Sequence, residues 1–295
     1  MIITIPSKIE DQFGDAFIKL FNIINEINNS DKDTSIEMDF KHNRWINPFF
    51  ILPLYCLMKE EAKNRIKFIN INSYLNTLIN NSFYDILNAD NQEHLESFSR
   101  KNYLPIVCFS AYKEDDLSRT KLFGILNVII KKLLNPSLQI FTALNYIIDE
   151  SVANIKDHSG ASKGYVLAQY YPDKKYIDIC IADCGKGILQ SYQDNGFSHI
   201  MDNVVALSEA INGLSTKNLP NAENRGYGIK TSKKMIVKGL DGSFSILTGN
   251  AIYFYTNLKE EIIELPENIS WKGTVVAIRM PYRDINNFEY WKYTE

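Results

Sequence analysis

Glu150, Asn154 and His158 stand at successive four-residue intervals, and Asp157 lies three beyond Asn154, in a segment whose apolar residues recur at helical spacing. The segment reads as a helix from about Ser137 to Asp157. Pro136 precedes a candidate N-cap serine, and Leu138, Phe141, Leu144, Ile148, Val152 and Ile155 mark its apolar face. On such a helix a carboxylate and an amide oxygen project along one stripe. Magnesium takes oxygen ligands and keeps several waters, so one asparagine oxygen completed by phosphate oxygens is a workable shell. Glu150, one turn away, is placed to take a proton from a water or a hydroxyl. The same residues also suit the solvated face of an amphipathic helix, and this stretch alone does not choose between the two.

Two further stretches follow in order. Tyr176 to Ala182 alternates like a half-buried strand and runs into Asp183-Cys-Gly185-Lys-Gly187, ahead of a helical run from Ile188. Two glycines two apart after a strand make a tight bend over which a planar base can lie against backbone. An aspartate at its lip accepts a hydrogen bond from an exocyclic amine, which adenine carries and guanine presents in another pattern. A plain turn capping a helix is the alternative. The third stretch, Arg225-Gly226-Tyr-Gly228, opens a helix with Ile229, Met235, Ile236 and Leu240 apolar and Lys230, Lys233, Lys234 and Lys238 solvated. A glycine-rich bend there aims unpaired N–H groups at phosphate oxygens. In this order the three stretches read as one ATP site. Between them, Gly213 to Asn224 reads as a lid over the phosphates, with Lys217, Arg225 and Thr216 as candidate contacts; an ordinary solvated loop is the alternative.

At these residues the chain resembles the GHKL superfamily, the ATP-binding domains of gyrase, the heat-shock chaperones, histidine kinases and MutL. The correspondence is an N-box (Glu150, Asn154, Asp157), a first glycine box (Asp183, Gly185, Gly187) and a second (Gly226, Gly228), over roughly residues 117–283. Gly273-Thr274, opening a last strand Val275 to Met280, is similar to the superfamily's Gly-Thr strand. Glu-x-x-x-Asn-x-x-x-His followed by Asp-x-Gly-x-Gly-Ile is most similar to the anti-sigma-factor serine kinases. The resemblance implies the Bergerat fold, Asn154 as magnesium ligand, Glu150 as base, Asp183 as reader of the adenine amine and Thr274 as its helper. The Walker A phosphate loop is absent from the sequence, which argues against the P-loop ATPases.

Flanking elements suit a two-layer α/β sandwich with helices on one face. Gly164 to Tyr171 and Tyr176 to Ala182 form one hairpin; Ser243 to Thr248 and Ala251 to Thr256 form another around Gly249-Asn250. At 295 residues the chain suits two domains, set at 1–112 and 113–295. In the first, Ser35 to Phe40 reads as a strand, Pro48 to Met58 as a helix, Arg65 to Ile71 as a strand and Tyr74 to Leu87 as a helix, an order that implies parallel pairing. Residues 32–112 resemble the STAS modules of anti-sigma-factor antagonists. Where antagonists carry a phosphorylatable serine or threonine at the helix start, this chain has Asn47, an N-cap, and Pro48 at the first helical position.

A net charge of -3, from 32 basic and 35 acidic residues, provides no global basic field, so nucleic acid is not an expected partner. No apolar run reaches the length of a membrane helix, and Met1 to Pro6 lacks the basic region of a signal peptide, so the expected site is cytoplasmic. Cys56, Cys108, Cys180 and Cys184 look scattered and are read as buried thiols. The expected ligands are ATP and Mg2+. The expected partners are a protein and, among the candidates, a second copy of this chain. The expected function is a switch enzyme that hydrolyses ATP or phosphorylates a hydroxyl on a protein partner; the alternative is a non-catalytic, ATP-gated binding module. A sensor histidine kinase needs an accepting histidine in Asp116 to Leu134, and none is there.

Overall fold

The structure is a computed structural model that describes all residues except 10–11, 61–64, 81–101, 113–119, 121–122, 125, 128–129, 132–136, 217–227, 283–287 and 294–295. The chain is mixed α/β, with a three-stranded parallel sheet and a seven-stranded antiparallel sheet. β1 (Ile2–Thr4), α1 (Asp15–Asn28), β2 (Ile36–Asp39), α2 (Pro48–Glu60), β3 (Ile66–Ile69) and α3 (Ser73–Asn80) come first. β1, β2 and β3 lie side by side in that order and all parallel, as the strand–helix–strand–helix order requires. α2 starts as its sequence dictates: Pro48 takes the first helical position and the Asn47 side chain accepts from Phe49 N at 2.7 Å.

β4 (Tyr103–Ser110), α4 (Leu138–Asn154), β5 (Lys163–Tyr171), β6 (Tyr176–Asp183), α5 (Gly187–Asp194) and α6 (Asn203–Asn212) follow. They are completed by α7 (Gly228–Lys234), β7 (Ser243–Gly249), β8 (Ala251–Tyr255), β9 (Glu260–Glu264) and β10 (Trp271–Pro281). The large sheet runs β4-β5-β6-β10-β7-β8-β9. β4, which falls within residues 1–112, hydrogen-bonds to β5 in this sheet, with Tyr103 opposite Gln169 and Ser110 opposite Lys163.

Helices of residues 113–295 pack on one face of the sheet, and α1 and α2, from residues 1–112, cover the other. On one side Val166, Ile177, Ile179, Ile181, Ile246 and Ile278 pack with α4 residues Leu144, Ile148 and Val152. On the other, Tyr165, Leu167, Cys180, Ala182, Val275 and Ala277 pack with α1 and α2, among them Phe17, Leu20, Phe49 and Leu52. Each fully buried Val, Leu, Ile or Phe among them contributes about 1.5–3 kcal/mol. The cause is visible in β6, where the residues between the isoleucines are also apolar apart from Asp178, and in α2, whose residues from Pro48 to Leu54 are all buried. A helix apolar all round needs cover on every side.

Asp178 is fully buried between these layers and forms a two-pronged ion pair with Arg279, Oδ1 to Nε at 2.7 Å and Oδ2 to a terminal guanidinium nitrogen at 2.7 Å. Asn47 Nδ2 donates to Asp178 Oδ2 at 3.3 Å, and the guanidinium lies 4.1 Å from the Tyr176 ring centroid. A buried carboxylate persists only with such partners, so this cluster fixes how α2 meets the sheet. Among the described residues no helix is long and apolar enough to cross a membrane.

Candidate functional site

α4 begins at Ser137, whose hydroxyl accepts from Ile140 N at 3.4 Å, and passes at Asn154 into a single π-helical turn, Ile155–Ser159. The wider turn shifts the side chains that follow it. Asn154 and His158 therefore line a cavity together with Glu150, whereas Asp157 is exposed and does not line it. Gly160, at φ 64°, ends the turn in the left-handed region.

The cavity, about 140 Å³, lies between this face of the sheet and the helices α4, α5, α6 and α7. That is roughly ten times the space one water needs. Ile181, Phe244, Ile246 and Val276 of the sheet and Ile188, Ala210 and Ile229 of the helices give it apolar walls. Glu150, Asn154, Asp183, Gly187, Gly228 and Thr274 of the sequence-predicted set line it. Gly185 does not. It sits beside the cavity, where any Cβ would overlap Ser159 O, and Lys186 N donates to that same carbonyl at 2.8 Å. The two glycines of the turn thus serve different needs: Gly185 admits the π-turn backbone, and Gly187 adopts φ 76°. Lys217, Arg225 and Gly226, with most of the segment read as a lid, lie outside the described residues.

Asp183 is the most unusual group here. It is 1 % exposed, its Oδ1 accepts from Gly185 N at 2.8 Å, and its Oδ2 has no hydrogen-bond partner among the described residues. Burial pushes its carboxyl up to about 7, against the pull of the Gly185 and Thr274 backbone N–H groups. β10 holds it there. Thr274 pairs with Asp183, Trp271 Nε1 donates to Asp183 O at 3.1 Å, and Gly273, at φ 110° in an irregularity of the strand, leaves no room for a Cβ beside that oxygen. A buried acceptor left open in an apolar slot is costly to the fold, and it suits a planar ligand carrying an N–H donor.

Sequence reading missed several contributors. Thr248, fully buried, donates to Gly273 O at 2.9 Å and accepts from Ile188 N at 3.1 Å, so it pins the start of α5 to the sheet. Ser191 and Ser232 line the cavity with hydroxyls that are buried and have no partner among the described residues. Thr216, a candidate phosphate contact from the sequence, does line the cavity with His158, and its Oγ1 lies 2.9 Å from His158 Nδ1, which ties the segment after α6 to the π-turn. Nothing in sequence separates the Thr248, Ser191 and Ser232 hydroxyls from those of ordinary polar residues. Lys233, read as solvated, is 7 % exposed: it pairs with Glu260 at 2.9 Å and lies over the Tyr253 ring.

A divalent cation can be tested against these donors. Among the described residues no group of three His, Cys, Asp or Glu side chains converges as a metal cage. Asn154 offers one amide oxygen at the cavity, which fits magnesium where phosphates and waters complete its shell, as they usually do. Comparison with protein-family models and with curated proteins finds no match for this chain.

Proposed function

We propose that this chain binds ATP in the cavity over β6 and β10 and acts as a switch enzyme, hydrolysing ATP or passing its terminal phosphoryl group to a hydroxyl on a protein partner. The observation that carries the reading is the buried, open Oδ2 of Asp183 in an apolar slot. Adenine has the planar face the slot takes and an exocyclic amine to give that oxygen. The finer architecture belongs to the same proposal: a Bergerat-type sandwich of the GHKL superfamily for the C-terminal part, with a STAS-like module before it, in a cytoplasmic signalling protein.

Within this reading each residue has a task. Asp183 orients the base, and Gly187, the glycine of the turn that lines the cavity, lets it approach backbone. Asn154 would hold magnesium, which supplies charge neutralisation on the phosphates. Glu150 accepts the proton of the attacking water or hydroxyl. Lys217, Arg225 and Gly226 are assigned to the phosphates by the sequence alone. Phosphoryl transfer needs little beyond positioning, electrostatics and such a base.

Phosphate release from ATP by the full chain, alone and with candidate partner proteins, tests the enzymatic part. A general base contributes about 10²–10⁴ in rate and little to ground-state binding, so Glu150→Gln is expected to keep ATP and lose turnover by that factor. Undiminished turnover removes Glu150 from the role. Tight ATP binding with no turnover in any combination favours the second reading, an ATP-gated binding module.

A further inference from the structure

Cys56 and Cys184 are 128 positions apart in sequence, yet their Sγ atoms lie 2.8 Å from each other. A disulfide needs an approach of only about 0.8 Å more. All four cysteines are free thiols, so the scattered arrangement read from sequence is corrected for this pair: packing of α2 on the sheet brings them together. Cys56 is fully buried on α2 and Cys184 is half-buried directly after Asp183. Successive residues at a strand end point to opposite faces. Asp183 therefore lines the cavity while Cys184 joins the apolar layer under α2.

We propose that Cys56 and Cys184 form a dithiol site that a peroxide closes to a disulfide, tying the Asp183 turn to α2 and weakening ligand binding in the cavity; the effect on ATP rests on the function proposed above. The steps balance with hydrogen peroxide as the two-electron oxidant. The more accessible Cys184 sulfur attacks one peroxide oxygen, the O–O bond breaks, and Cys184 becomes a sulfenic acid as water leaves. Cys56 then gives up its proton and attacks the Cys184 sulfur, the S–O bond breaks, and a second water departs. Two thiols and one peroxide yield one disulfide and two waters. Burial, with Cys184, Asp183 and Glu60 nearby, holds the Cys56 thiol well above its ordinary value, so it stays protonated and the more accessible Cys184 reacts first. Closing the bond draws Cys184 towards α2, and Asp183 and Gly185 on either side of it move too.

The test uses the full chain, reduced or treated with hydrogen peroxide, read by peptide mass spectrometry and by ATP titration. The expected result is a peptide pair joined through Cys56 and Cys184, reversed by dithiothreitol, with ATP affinity about fivefold or more weaker in the oxidised form, within the usual range of coupling between sites. Cys184→Ser and Cys56→Ala abolish the joined pair, and Cys180→Ser does not. Absence of the joined pair in peroxide-treated wild type overturns the dithiol, whatever the variants do. A joined pair with ATP affinity unchanged overturns the switch. If even the reduced protein fails to bind ATP, the proposed function fails while the joined pair still supports the dithiol site.

Discussion

Gly228, the first residue of α7, lies directly against the Glu150 carboxylate of α4, so close that a Cβ at Gly228 would overlap Glu150 Oε1. Two segments that sequence reading put in one site are thus in contact at its rim. A side chain at this position would have to displace the Glu150 carboxylate.

Gly228→Ala is expected to displace Glu150 and to reduce ATP turnover by about 10² or more, the lower bound of a general base's contribution. Gly124→Ala, where a Cβ would meet no described residue within 4 Å beyond its own helix, serves as the control. Adding Glu150→Ala to Gly228→Ala restores room, so the double variant is expected to regain the thermal stability lost by the single one. A single variant with wild-type turnover and melting temperature contradicts the contact.

Asp183 titrates near 3.8 when unfolded and near 7 in the folded protein without ligand. Between those values the folded state holds the extra proton, so the carboxylate subtracts progressively more stability as pH rises from about 4 to about 7, and a constant amount above. Asp183→Asn removes this penalty. The variant is expected to be more stable than wild type at pH 8, by at most on the order of 4 kcal/mol, with a smaller gain at pH 5. Urea unfolding at the two pH values measures it; a larger gain at pH 5 contradicts the assignment. A residue whose loss stabilises the protein and removes its ligand marks a site and not a scaffold.

Asn154→Ala is expected to leave the fold intact and to remove the dependence of nucleotide affinity on magnesium. Titration of ATP with and without the metal reads this directly. Equal magnesium dependence in variant and wild type places the metal elsewhere.

Local signals were legible where chemistry writes them locally. Pro136-Ser137 marked the start of α4, Asn47-Pro48 that of α2, and Gly249-Asn250 the turn between β7 and β8. The cavity-lining places of Glu150, Asn154, Asp183 and Thr274 follow from elements read in this way. The rest depends on packing. α1 starts at Gly14 with no side-chain cap, so little announces it. The π-turn after Asn154 inserts a residue that no spacing reveals, and it takes Asp157 out of the cavity. Asp178 occupied a polar position in an alternating strand, but the layer of α1 and α2 that buries it comes from the far end of the chain, and its partner Arg279 comes from β10, the neighbouring strand, 101 residues on. Distance in sequence hid Cys56 from Cys184 for the same reason.

The central claim is that Asp183 Oδ2 receives the exocyclic amine of adenine. Calorimetric titration of wild type and Asp183→Asn with ATP and with GTP measures it most directly. Wild type is expected to bind ATP and to bind GTP poorly, and Asp183→Asn to lose about 1–3 kcal/mol of ATP affinity, the cost of mispairing a buried polar group. Equal affinity of the wild type for the two nucleotides, or an Asp183→Asn protein that binds ATP as tightly as wild type, contradicts the account.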